Sequence, residues 1–147
     1  MAPLITLLTG SLAARAVGWF GVDYVGTWAR ALAVGLAAMF LLTGVAHFTP
    51  PLRRQLIAIV PPALPAPGVL VSATGVLELL GAAGLLLPAT RSAAALCLLV
   101  LMLVMFPANI YAARMPEPPE AMTTRLPLRT AEEVLYLAAA VAVALAG

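Results

Sequence analysis

Three polar side chains interrupt the apolar stretches of this chain at places where they could do chemistry: His47, Glu78 and Asn109. A carboxylate and an imidazole can exchange protons with a bound oxygen near neutral pH. Glu78 stands ten positions after Gly68, inside a run with no other charge up to Pro88. At about 1.5 Å per helical residue, it lies about 15 Å along that run. In a segment crossing a bilayer, an ionised carboxylate at that depth is costly, and such residues face a bundle interior and mark functional paths. Ser72, Gly75 and Gly81 share its helical face, and small residues let a neighbouring helix come close.

Two readings of this group stay open. In the first, Glu78 and His47 form a proton-handling pair beneath a pocket for a quinone ring or another lipid-soluble substrate. Asn109 stands beside them, with Thr43, Thr74, Tyr111 and Tyr136 as supporting residues. In the second, Glu78 stays protonated and hydrogen-bonds His47 or Asn109, holding helices in register. A histidine at the end of an apolar run also suits a membrane interface, and Asn109 suits a structural bond better than a ligand contact.

The elements that must position these residues are apolar helices. Of the 147 residues, 63% are hydrophobic and 10% charged, and the mean hydropathy is +1.07. Soluble domains average about 45–50% apolar and about 25% charged. A spanning helix needs about 20 apolar residues. Residues 28–48, 68–88 and 92–113 meet that length, and 130–147 is a shorter fourth candidate that begins with charged residues. Thr130 and Glu133 have the spacing of a capping box. The expectation is an all-α membrane protein, a single domain built as a four-transmembrane-helix bundle. A short extra N-terminal helix, Met1 to Ala14, leads into it, with an extension through Gly18 to Val22 as a fifth span.

Between the first two spans, prolines bracket residues 51–60, which predicts a short interfacial helix with Arg53 and Arg54 snorkelling to water. Residues 115–128, rich in Pro and Glu, form a wet loop. Because the chain reverses at each connection, His47, Asn109 and the start of the fourth helix, with Glu132, Glu133 and Tyr136, meet at one face. Glu78 is deepest there, and Tyr111 and Arg114 are nearer the surface. Pro107 frees the carbonyl of Leu103 one turn earlier. Trp19, Tyr24, Trp28 and Tyr111 read as interfacial anchors, and Met102 and Met105 share the face of Asn109.

Several functions are excluded or left without support. All eight basic residues are arginine, and no cluster exceeds Arg53-Arg54, so there is no phosphate-tracking patch for nucleic acid. Cys97 is the only cysteine, which removes a disulfide or a Cys-x-x-Cys pair within the chain and leaves a small hydrophobe in an apolar run. One histidine and scattered carboxylates fall short of the usual metal sets, and a lone His47 offers a haem only one axial ligand. The longer connections carry five arginines against three on the other face, which places them in the cytoplasm by the positive-inside rule.

Five segments together resemble the DoxX family of small bacterial and archaeal membrane proteins. They are Gly44-Val45-Ala46-His47-Phe48, Ile59 to Pro65, Gly75-Val76-Leu77-Glu78-Leu79-Leu80-Gly81, Gly84 to Arg91, and Phe106-Pro107-Ala108-Asn109-Ile110. The resemblance implies a four-helix membrane fold, with His47, Glu78 and Asn109 on recurrent polar positions. It also implies an association with quinone-linked redox proteins. The lysine-free composition, rich in alanine, arginine and leucine, suggests a high-GC bacterium and its cytoplasmic membrane, with a multi-pass topology.

The functional expectation is a quinone- or lipid-binding, redox-associated subunit whose electrons come from a partner. The alternatives are a membrane scaffold that docks another protein or a second copy of itself through its small-residue faces, and a small proton-coupled transporter. Whether the chain catalyses anything stays open.

Overall fold

The structure is a computed structural model that describes residues 1–146, and it is helical throughout its regular elements. Six α-helices follow one another: α1 Ala2–Trp19, α2 Trp28–Ala46, α3 Pro50–Ala58, α4 Pro67–Leu86, α5 Arg91–Arg114 and α6 Leu126–Ala146. Three of them, α2, α4 and α5, are long and apolar enough to cross a membrane. The apolar length that composition demanded is therefore present, and α1 and α6 pack beside those three.

The helix contacts follow the chain reversals. α1 packs on α2, α2 on α4, α4 on α5 and α5 on α6, and α6 closes the ring against α2. The buried residues of α4 are Val71, Gly75, Glu78, Ala82 and Leu85. They alternate in steps of four and three, the seven-residue repeat that keeps one seam facing its partners. Arg91, Ala95, Leu98, Met102 and Ala112 are buried on the same repeat in α5. α2 is the central helix, buried toward α1 on one side and toward the ring on the other.

The boundaries of the N-terminal, interfacial and fourth helices differ from the sequence expectation. The N-terminal helix does not stop at Ala14. Arg15 continues it because its guanidinium lies over the rings of Trp19 and Trp28, 5.2 and 5.6 Å from their centroids, a favourable setting for a cation. The expected helix 51–60 begins at Pro50 and ends at Ala58, two residues ahead of Val60-Pro61. The expected fourth helix begins at Leu126, with Pro127 in its first turn. Thr130 is therefore inside the helix and its hydroxyl donates to the Leu126 carbonyl at 2.9 Å, so the capping box does not form. The last residue of that expected segment, Gly147, lies outside the described residues.

Connections are tied down by side chains. Arg53 donates to the carbonyls of His47 and Gly68, both at 3.0 Å, bridging the end of α2 to the start of α4. Of the arginine pair expected to snorkel, only Arg54 is exposed. The 115–128 connection folds a short 3₁₀ turn, Glu120–Met122, against α3, where the Gln55 side-chain oxygen accepts from the Ala121 N–H at 2.8 Å. At the opposite end of the bundle, Tyr24 donates to the Leu86 carbonyl, and Arg91 donates to that of Leu85 at 3.0 Å. Cys97 lies on the exposed outer face of α5, not in the core.

Close approach of α1 and α2 depends on Gly35. A Cβ there would stand 2.0 Å from Ser11 Oγ and 2.6 Å from the Leu7 carbonyl oxygen, and backbone cannot yield that distance without moving a helix. Gly35→Ala should therefore destabilise the chain by about 1–3 kcal/mol through overpacking. Thermal unfolding in a mild detergent would show a lowered midpoint; an unchanged midpoint would mean that α1 is not held there.

Candidate functional site

A cavity of about 250 Å³ opens at the end of the bundle where α2 and α5 finish and α4 and α6 begin. Its inner wall is Met39, Phe40 and Thr43 of α2, Glu78 of α4, Leu101, Met102 and Met105 of α5, and Tyr136 of α6. Nearer the mouth are His47, Asn109, Arg129, Glu132 and Glu133, and Leu56, Ala121, Met122 and Thr124 form the cover. The repeat that gives α5 its buried seam also brings Met102, Met105 and Asn109 to one wall.

Thr43 organises the polar end. Its hydroxyl donates to Glu78 Oε2 at 2.5 Å, and its backbone carbonyl lies 2.8 Å from His47 Nδ1. A carbonyl can only accept, so Nδ1 carries the ring proton and Nε2 keeps a lone pair. That Nε2 faces Glu78 Oε1 at 3.9 Å, beyond hydrogen-bond contact. Both side chains are almost fully enclosed, each residue being 4% exposed. An acid oxygen and a basic nitrogen thus stand side by side on the cavity wall, close enough for one ligand atom in the cavity to reach both.

Helix packing fixes this pair. A Cβ on Gly75 would lie 2.5 Å from His47 Cβ and 2.9 Å from Phe48 Cε2, so only glycine lets the end of α2 settle on α4. Arg53 then holds the His47 carbonyl from the other side.

Asn109 makes a structural bond between helices, with a partner other than Glu78 or His47. Its Oδ1 accepts from Arg129 Nη1 at 3.0 Å, and Arg129 Nε donates to the Thr124 carbonyl at 2.9 Å. Asn109 therefore anchors the start of α6 to α5; the hydrogen-bond partner of Glu78 is Thr43. Tyr136 is buried at the cavity. Thr74 and Tyr111 are not on it: the Thr74 hydroxyl bonds back to Leu70 and Val71 of its own helix at 2.9 and 3.1 Å. Leu103, whose carbonyl Pro107 frees, is exposed on the outside of α5.

Arg129, Glu132 and Glu133 complete the site and were not singled out from sequence as site residues. The Oε1 atoms of both glutamates are buried without a hydrogen-bond partner. The available signal was a pair of acids in the first turns of an otherwise apolar helix; the contact of Arg129 with Asn109 joins two helices and leaves no local trace. Among the described residues, no three His, Cys, Asp or Glu side chains are grouped closely enough to hold a metal ion.

Residues 36–145, most of the chain, match a family described as a domain of unknown function (DUF8561). No curated protein and no solved structure matches. The family match overturns the resemblance to DoxX, and the redox associations that the resemblance implied are left without support from it. Three of the five segments that carried the resemblance, those with glycine, have another cause in this fold. Gly44, Gly75, Gly81 and Gly84 are each contacts between packed helices, against Leu79, His47, Leu98 and Ala94 respectively, and small residues at such crossings are general in membrane bundles.

Thr43→Val separates the two roles of Thr43, since it removes the hydroxyl and keeps the carbonyl. Leaving a buried carboxyl oxygen without its donor costs about 1–3 kcal/mol. The variant should unfold at a lower temperature, while the nitrogen NMR shifts of His47 keep the same tautomer. A changed tautomer would show that the backbone contact does not set it.

Proposed function

We propose that this chain, which belongs to the DUF8561 family, is a multi-pass membrane protein that binds a lipid-soluble molecule in the cavity, with Glu78 and His47 holding its polar head. The observation that carries this reading is the pairing of Glu78 Oε1 and His47 Nε2 at 3.9 Å, enclosed and on the wall of one cavity. An oxygen or nitrogen of a ligand lying beside the pair, within hydrogen-bond reach of both, can receive a proton from one and give a proton to the other. The volume, about 250 Å³, falls just below the roughly 300–1,000 Å³ of sites for drug-sized ligands. It suits one ring or head group, with any tail outside. A quinone ring is one head of that size and oxygen chemistry.

On this reading α6 is a fourth span whose charged first turns sit at headgroup level. α1 is a fifth, with its 18 residues covering about 27 Å at 1.5 Å each and Ile5, Leu8 and Leu12 exposed along it. The membrane is the bacterial cytoplasmic membrane that the composition suggests. A docking role for the small-residue faces has less support, because Gly75 and Gly81 are covered by His47 and Leu98 of the same chain.

The test is to purify the protein in a mild detergent and analyse an organic extract by mass spectrometry, beside Glu78→Gln. An apolar compound present near one per chain, and lost in the variant, is the expected result. Extracts with the same bulk lipids in both proteins would leave Glu78 as a helix-packing residue and remove the proposal.

A further inference from the structure

The charges around the cavity lean one way, and we propose that its occupant is an organic cation: an ammonium on an apolar body about the size of one ring, taken up in exchange for protons. The inference rests on the reading of the cavity as a ligand site and adds the class of ligand.

Every element around the cavity enters the account. α2 contributes His47, α4 contributes Glu78, and α6 contributes Arg129, Glu132, Glu133 and Tyr136, whereas α5 contributes no titratable group. The cover adds the uncharged Leu56 and Met122. At the rim, the amino group of the largely exposed Met1 lies 3.8 Å from Glu132 Oε1, and Arg53 is engaged on the His47 carbonyl. Three carboxylates therefore face the space. The guanidinium among them is turned to Asn109 and Thr124, and among the described residues no arginine comes within 4 Å of any of the three.

The unmatched polar atoms agree with the charges. Glu132 Oε1 and Glu133 Oε1 are buried without a donor. His47, 4% exposed, presents its Nε2 lone pair because Nδ1–H is directed to the Thr43 carbonyl. These are acceptors, and an ammonium supplies three donors and no acceptor. The aromatic rings of Phe40 and Tyr136 on the same wall offer a cation favourable faces. A metal ion is a poor match, because the acids are not grouped closely enough to share one.

Carboxyl groups in apolar surroundings are neutralised by protons unless a counter-charge arrives. When the ammonium enters, one carboxylate must balance it; a carboxyl that held a proton there releases it to water, so charge balances and no bond in the ligand changes. Because protons compete with the ligand for the same carboxyl groups, affinity rises with pH.

Calorimetry on the full chain in mild detergent tests this with phenylbutylamine, phenylbutanol and phenylbutyrate, in two buffers of different ionisation heat. The amine should bind about tenfold or more tighter than the alcohol, with buffer-dependent heat that reports proton release. Glu132→Gln with Glu133→Gln, at the mouth, should weaken the amine about tenfold more than the alcohol. Equal binding of alcohol and amine without proton release, or recovery of a neutral quinone from the native protein, would overturn the cation while the ligand site stands. A preference for phenylbutyrate would overturn the sign of the charge argument. Failure of all three to bind the wild-type chain would overturn the cation, while the ligand site falls only if the extracts of the wild-type and Glu78→Gln chains match.

Discussion

The fold turns on how a carboxyl group is accommodated on the buried seam of an apolar helix. Glu78 occupies the position in the α4 repeat where Val71, Gly75, Ala82 and Leu85 are its buried neighbours. A polar group there must find a partner, because hydrocarbon offers none. Thr43 is that partner, and meeting it requires α2 to lie against α4 at one depth and one rotation. The same residue orients His47 through its carbonyl, so a single turn of α2 sets both chemical groups.

Glycine makes that approach attainable. Gly75 receives His47, Gly44 receives Leu79, and Gly35 receives Ser11 on the other side of α2. Packing energy between membrane helices comes from close contact more than from exclusion of water, and α2 achieves it on both sides. A helix held this way cannot rotate to present His47 elsewhere. The positional accuracy of the cavity is therefore a property of the helix crossings and not of the loops, which only close its mouth through α3 and the Glu120–Met122 turn.

The same glycines explain why short motifs misled the family assignment. A Gly-rich apolar segment around a single acid describes any helix that must pack closely and carry one polar group. Such a description is a physical requirement shared by unrelated bundles. The family match over residues 36–145 rests on the pattern of most of the chain, which is a far stronger constraint than five short segments.

What the sequence by itself determined was the existence of the helices and the face on which the polar residues meet. Apolar length and a charge-free interior establish α2, α4 and α5, and reversal at each connection sends His47, Asn109 and the start of α6 to the same end. Local chemistry did not determine where α1 and α6 stop and start, because Arg15 lies over the rings of Trp19 and Trp28 and Thr130 bonds back to its own helix. Only the tertiary structure decided the partners. Glu78 bonds Thr43, which lies 35 positions away, and Asn109 bonds Arg129 on the next helix. Thr74 and Tyr111 fall outside the cavity, while Glu132 and Glu133 fall inside it. Depth along a helix follows from residue count, but which side chains meet depends on helix rotation and crossing distance. Those are set by packing between segments far apart in the chain.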